Sequence, residues 1–139
     1  IEEVLEAAKV KIDNKTVKQT LEEMKTIDFI NIYFESDKAH IQKQYETKMK
    51  GFVKKLSLHP NTLILILGHT DSDGSMEYNM NLSSKRSKAA KKYLTKLGIK
   101  ENRIVIKNYG EEKPDASNDN STNKSKNRRV EVRLMQLHN

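Results

Sequence analysis

The pattern of hydrophobic and polar positions divides the chain into four strands and two long helices. Ile27 to Ser36, IDFINIYFES, is dense in β-branched and aromatic residues, which predicts a strand. The next segment carries apolar residues at Ile41, Tyr45, Met49, Phe52, Val53 and Leu56, a helical stripe that Pro60 ends. Ser36 or Asp37 is the expected N-cap of that helix. TLILILGHT, from Thr62, is almost continuously apolar, the pattern of a strand covered on both faces. Met76 to Leu97 reads as a second helix with Leu82, Ala89, Ala90, Tyr93, Leu94 and Leu97 in its stripe and Gly98 at its end. RIVIKNYG, Arg103 to Gly110, predicts a third strand. Gly110 to Asn127 is polar and turn-rich, which predicts a long loop. Arg128 to Leu137 alternates cleanly, with Val130, Val132 and Leu134 on one face and Arg129, Glu131 and Arg133 on the other.

This order predicts an α/β fold: a two-layer sandwich with a β-α-β-α-β-β mixed sheet and two helices on one face. Ile1 to Thr26 reads as a helical extension or linker interrupted at Asp13-Asn14, so residues 1–26 are expected to precede a domain over residues 27–139. The chain begins at Ile1 rather than Met, and we read it as a piece of a longer protein.

Composition adds limits. The longest apolar run, Leu63 to Leu67, is strand-sized and far short of a membrane span. Cysteine is absent, so neither disulfides nor thiolate chemistry is available. The net charge is +7, carried mostly by lysines along the helices. Aromatics are only 6% and do not interleave with the basic residues, so no nucleic-acid partner is expected.

One residue breaks the apolar pattern. Arg86 lies four residues after Leu82 and four before Ala90, inside the buried stripe of the second helix. A guanidinium keeps its proton and is costly to bury alone, so an anionic group should meet it. Asp71 directly follows the central strand, where ligand sites of open α/β sheets gather. Two readings stand. The pair is an internal salt bridge, or it is a cation and an anion that together grip a zwitterion. Other chemistries fit less well. Asp71, Asp73 and Gly74 lack the glycine spacing and the closing glutamate of a calcium loop. His40, His59, His69 and His138 are isolated from other ligands, so no metal is expected. No nucleophile elbow or phosphate-cradling glycine series is present, so we expect neither an enzyme nor a cofactor.

Four motifs in order, YFESDKAHI, GHTDSDGSMEYNMNLSSKR, YGEEKPDASN and NRRVEV, resemble the OmpA-like C-terminal domain family of peptidoglycan-binding modules. The resemblance covers Ile32 to Leu134. It implies non-catalytic binding of the diaminopimelate side chain of peptidoglycan, whose end carries an ammonium and a carboxylate. Asp71 and Arg86 match the family's ligand-binding pair, and Asn79 and Leu82 match the other fixed positions of the second motif. The loop with Phe34, Asp37 and Ala39 resembles the segment whose backbone helps receive the ligand. Arg128 and Arg129 match the NRRVE pair: one is expected to brace the site and the other to face solvent, and strand alternation puts Arg129 on the face away from the helices.

The resemblance further implies a periplasmic anchor of a Gram-negative envelope protein, attached to a membrane through a part not in this sequence. A homodimer, a larger envelope complex, and a MotB-like stator subunit are the forms it brings to mind. The alternative is an envelope interaction module that keeps the fold without wall binding. Three positions depart from the family: Ser87 follows the motif arginine in place of alanine, Asn108 replaces a glycine, and Asn123-Lys124 replaces Gly-Arg. They leave the conformation of the long loop and the contact of the missing arginine open.

Overall fold

A computed structural model of the chain describes residues 22–59 and 61–137. The predicted extension lies largely outside the described residues. Within them the elements are β1 (Met24–Tyr33), α1 (Gln44–Leu58), β2 (Thr62–His69), α2 (Met76–Lys96), a 3-10 turn (Glu101–Arg103), β3 (Ile104–Gly110), α3 (Ser121–Asn127) and β4 (Arg129–Leu137). The sheet order is β1-β4-β2-β3. β4 runs antiparallel to both β1 and β2, while β2 and β3 are parallel, so the sheet is mixed as expected.

The helices pack on one face. Ile32, Ile64, Ile66, Ile104, Val130, Val132 and Leu134 from the sheet meet Tyr45, Met49, Phe52 and Leu56 of α1 and Ala90 and Leu94 of α2. Each large apolar side chain fully buried there stabilises the fold by ~1.5–3 kcal/mol. The opposite parity is not simply polar: Leu63, Leu67, Val105 and Met135 are buried as well. The unbroken apolar run of β2 reflects this.

The main departures from the sequence reading are two element starts and one helix. β1 begins at Met24 rather than Ile27, because a register shift between Thr26 and Asp28 lets the strand continue past a break in its alternation. α1 begins at Gln44, and neither Ser36 nor Asp37 caps it. Asp37 has φ +59°, incompatible with a helix start, and the carbonyls on either side of it are bound elsewhere. The long loop contains α3, a seven-residue helix whose N-cap Asn120 accepts a hydrogen bond from the Asn123 amide. Its sequence, STNKSKN, has no apolar stripe, so periodicity cannot report it.

α2 follows its sequence signals. Ser75 caps it by accepting from the Tyr78 amide, and Gly98 takes φ +105° beyond its C-terminus.

Away from the helices, β4 places three charges in a row. Glu131 lies 3.0 Å from Arg133 Nη2 and 3.5 Å from Arg129 Nε, and 3.6 Å from the buried imidazole of His69. Arg133 makes the shortest of the three contacts. His69 and the two arginines hold the Glu131 carboxyl at about 2 against an ordinary 4.5, opposed by burial. The folded state therefore binds the proton more weakly than the unfolded state. The stabilisation is complete above about pH 4.5 and is lost as pH falls toward 2. Thermal melts should lose at most ~3 kcal/mol through this group over that range, and Glu131→Gln should flatten that part of the profile. An unchanged profile in the variant would assign the acid sensitivity elsewhere.

Candidate functional site

The site sits at the carboxyl end of β2, where the strand passes through Thr70 and Asp71 to the start of α2. Arg86 points from α2 toward the segment that follows β1. It has no exposed surface. Its Nε donates to the Lys38 carbonyl at 2.8 Å, Nη1 to the His69 carbonyl at 3.1 Å and Nη2 to the Glu35 carbonyl at 3.1 Å. The guanidinium carbon lies 5.2 Å from the centre of the Phe34 ring. Burial lowers the Arg86 pKa to about 10, with Asp71 opposing and Arg128 adding to the shift, so the side chain remains a cation at neutral pH.

Asp71 is also buried, and it pairs with Arg128 rather than Arg86. Arg128 Nη1 donates to Asp71 Oδ2 at 3.3 Å, and its Nε donates to the Phe34 carbonyl at 3.0 Å. The other carboxylate oxygen accepts from the Asp73 amide at 3.0 Å. The plain Asp71–Arg86 ion pair is therefore not the arrangement present. Arg86 is satisfied by three neutral carbonyls, and five N–H groups on a guanidinium leave two beyond those bonds.

The two arginines grip the segment after β1 from both sides. This corrects the expectation of a helix start there: the carbonyls of Phe34, Glu35 and Lys38 serve the guanidiniums. Asp37 accepts a hydrogen bond from the Tyr78 hydroxyl at 3.1 Å, which ties the segment to the first turn of α2. Ala39 follows Lys38 and is half-buried. Leu82 is buried one turn before Arg86. Asn79 is buried and donates to Glu111 Oε1 at 3.0 Å, pinning the loop after β3 rather than facing Asp71.

That loop is tied to the site by an amide relay. Asn127 has no exposed surface, accepts from the Asp115 and Ala116 amides at 2.7 and 2.9 Å, and donates to the Ala116 carbonyl and Asn118 Oδ1 at 2.8 and 3.0 Å. Asn118 Oδ1 also accepts from the Ser72 amide at 3.3 Å. The residue after Asp71 is thereby linked to the residue before Arg128. Lys124 makes a 2.9 Å ion pair with Asp73, so a lysine supplies a cation to this loop. Between exposed groups such a pair contributes little.

The two arginines of the last motif divide differently from the expectation. Arg128 enters the site. Arg129 does not face solvent: it is buried on the other side of β4, beside Glu131 and with Nη2 3.3 Å from the Lys113 carbonyl. Alternation gives the side of the strand, but not that the Lys113 loop folds over it. Sequence reasoning also missed Tyr78, an exposed aromatic that carries no periodic signal.

A cavity of about 400 Å³ adjoins Arg128, lined also by Phe34, Glu35, Gln42, Tyr45 and Lys126 among others.

A mixed four-stranded sheet with a buried arginine on α2 and an aspartate at the end of β2 defines a small α/β binding module. The OmpA family model matches residues 33–128, and the chain belongs to that family. It is 36% identical to the peptidoglycan-associated lipoprotein of Buchnera aphidicola subsp. Baizongia pistaciae, over 80% of this chain and 63% of the relative. The chain thus spans less than two thirds of that relative's length. The crystal structure of the peptidoglycan-associated lipoprotein from Burkholderia pseudomallei is 33% identical, with a TM-score of 0.72 over 75% of this chain and 88% of that one. The C-terminal domain of Helicobacter pylori MotB is 25% identical, with a TM-score of 0.69 over 76% and 83% of the two chains.

Proposed function

We propose that this chain is a non-catalytic module that binds peptidoglycan through the zwitterionic end of diaminopimelate and anchors a periplasmic envelope protein of a Gram-negative bacterium. The observation that carries the reading is Arg86: a fully buried guanidinium held by three carbonyls and, among the described residues, bonded to no carboxylate. Neutral carbonyls orient the fork without cancelling its charge. A ligand carboxylate takes the two remaining N–H groups, and Asp71 accepts from the ligand ammonium. Arg128 holds the Asp71 carboxylate in place through a 3.3 Å contact, and Leu82 and Phe34 supply the apolar wall for the ligand's methylenes. The loop through Asp37 and Ala39 closes the side, braced by Tyr78, and Asn79 fixes the neighbouring loop. Membership of the OmpA family and likeness to peptidoglycan-associated lipoproteins support the reading.

The parent protein is attached to a membrane through another part, as a lipoprotein or as a MotB-like stator subunit. One small zwitterion gives weak binding per copy, so a homodimer or envelope complex would gain retention by avidity.

The test is sedimentation with purified sacculi. The wild-type chain should pellet with diaminopimelate-type sacculi and stay in solution with lysine-type sacculi, whose side chain lacks the second carboxylate. Asp71→Asn should melt within a few degrees of wild type yet remain in the supernatant. Equal pelleting of the variant, or no preference between the sacculi, would sink the reading.

A further inference from the structure

We infer that the outward face of the helix layer is a docking surface for an anionic phospholipid bilayer. The inference stands apart from the peptidoglycan reading and does not need it. α1 and α2 both press their apolar stripes onto the sheet. On the opposite side of the helices stand Lys50 and Lys54 of α1 and Lys85, Lys88, Lys92 and Lys96 of α2, all exposed. Among the described residues none of these lysines makes an ion pair. At the flanks, by contrast, Lys55 is held by Asp28 at 2.7 Å and Lys91 by Glu101 at 3.2 Å. The charge is concentrated rather than spread. The two helices carry nine lysines against two glutamates, Glu46 and Glu77. With the buried Arg86 set aside, that surplus equals the net charge of the whole chain, +7, so the remainder is close to neutral.

The arrangement costs the helices something. Lys50 and Lys54, Lys88 and Lys92, and Lys92 and Lys96 are like charges one turn apart, a spacing that weakens a helix. A surface that serves solubility alone gains by interleaving the two signs, and this face does not. An anionic partner turns the repulsion into attraction. The chemistry of the face favours lipid over a nucleic acid. Two helices laid side by side on a sheet give a broad face, suited to a plane of headgroups. α1 and α2 expose no arginine to fork a phosphate, and their one exposed aromatic, Tyr78, is bonded to Asp37 rather than free to stack on a base. Lysine stems lie along a bilayer interface while their ammonium groups meet the phosphates. Leu58, at the C-terminal end of α1, is 75% exposed on the same side and can enter that interface. Arg86 lies on the sheet side of α2, so lipid on the outer side leaves its surroundings free.

The experiment is vesicle co-sedimentation of the whole chain at low ionic strength. Vesicles of phosphatidylcholine alone are compared with vesicles that also hold about 30% phosphatidylglycerol. The chain should pellet with the anionic vesicles and stay in solution with the neutral ones, and about 0.5 M salt should release it. The triple variant Lys88→Gln/Lys92→Gln/Lys96→Gln keeps good helix formers and should lower the partition about hundredfold. Lys25→Gln/Lys107→Gln/Lys126→Gln removes as much charge from exposed positions on other faces and should lower it less than about tenfold. Equal losses in the two triple variants would overturn the inference, because net charge and not the face would then set binding. No preference for the anionic vesicles would overturn it too, as would tighter binding to single-stranded DNA at the same salt, which points to a polymer. Retention of the α2 variant on sacculi should match that of the wild type. A chain that binds the vesicles but no sacculi would overturn the peptidoglycan reading and leave this one standing.

Discussion

Arg86→Ala is expected to cost about 3–5 kcal/mol of folding stability and to abolish retention on diaminopimelate-type sacculi. The size follows from what the side chain leaves behind. The carbonyls of Glu35, Lys38 and His69 lose their donors together. Each unsatisfied buried acceptor costs ~1–3 kcal/mol, reduced where the loop relaxes and water enters. The Phe34 ring also loses its cation, and a cavity opens in the stripe of α2. Arg86→Lys separates charge from geometry. One ammonium keeps the positive charge but cannot present a planar fork to three carbonyls and a ligand carboxylate. It should recover part of the stability and little of the binding. Urea unfolding with a common m-value reads the first effect, and sedimentation reads the second. A loss below 1 kcal/mol in Arg86→Ala would mean that the loop carbonyls find water at no cost and that Arg86 does not hold the segment after β1.

The layout of the sheet and its two long helices was legible because each carries its own period. β2 reads as apolar throughout, β4 alternates, and α1 and α2 repeat at helical spacing. The anomalous arginine was legible for the same reason, since a regular stripe makes a single charge stand out. Its partners were not. Its acceptors are main-chain carbonyls of Glu35, Lys38 and His69, and a carbonyl has no residue identity for a sequence pattern to show. Asp71 was found from its position after β2, yet its pairing with Arg128 joins residues 57 apart and depends on β4 lying beside both β1 and β2. The polar loop hid α3 because a short helix held by Asn120 and Asn127 needs side-chain amides rather than an apolar face. Strand parity assigned Arg129 to its side of the sheet, but its burial comes from tertiary contacts that parity does not contain.

Gly68→Ala should damage the fold by about 2–4 kcal/mol even though it adds a single methyl group. Gly68 is where β2 lies directly under α2. A Cβ there would stand 2.2 Å from Ser87 Oγ and 2.4 Å from the Ser83 carbonyl oxygen. The serine hydroxyl can rotate away, but the carbonyl belongs to the helix backbone and moves only if α2 moves. Ser83 and Ser87 are both fully buried, and Arg86 is the residue before Ser87, so lifting the helix also withdraws the guanidinium from its three carbonyls. The stability loss should therefore come with a loss of sacculus binding at temperatures where the variant is still folded. Ser87→Gly offers a discriminating second change. It removes only the movable contact, so Gly68→Ala/Ser87→Gly should regain less than half of what Gly68→Ala loses. Full rescue would show that the hydroxyl, not the helix backbone, sets the distance between β2 and α2. The glycine of GHTD would then matter for the space around one side chain rather than for the seating of the helix that carries Arg86.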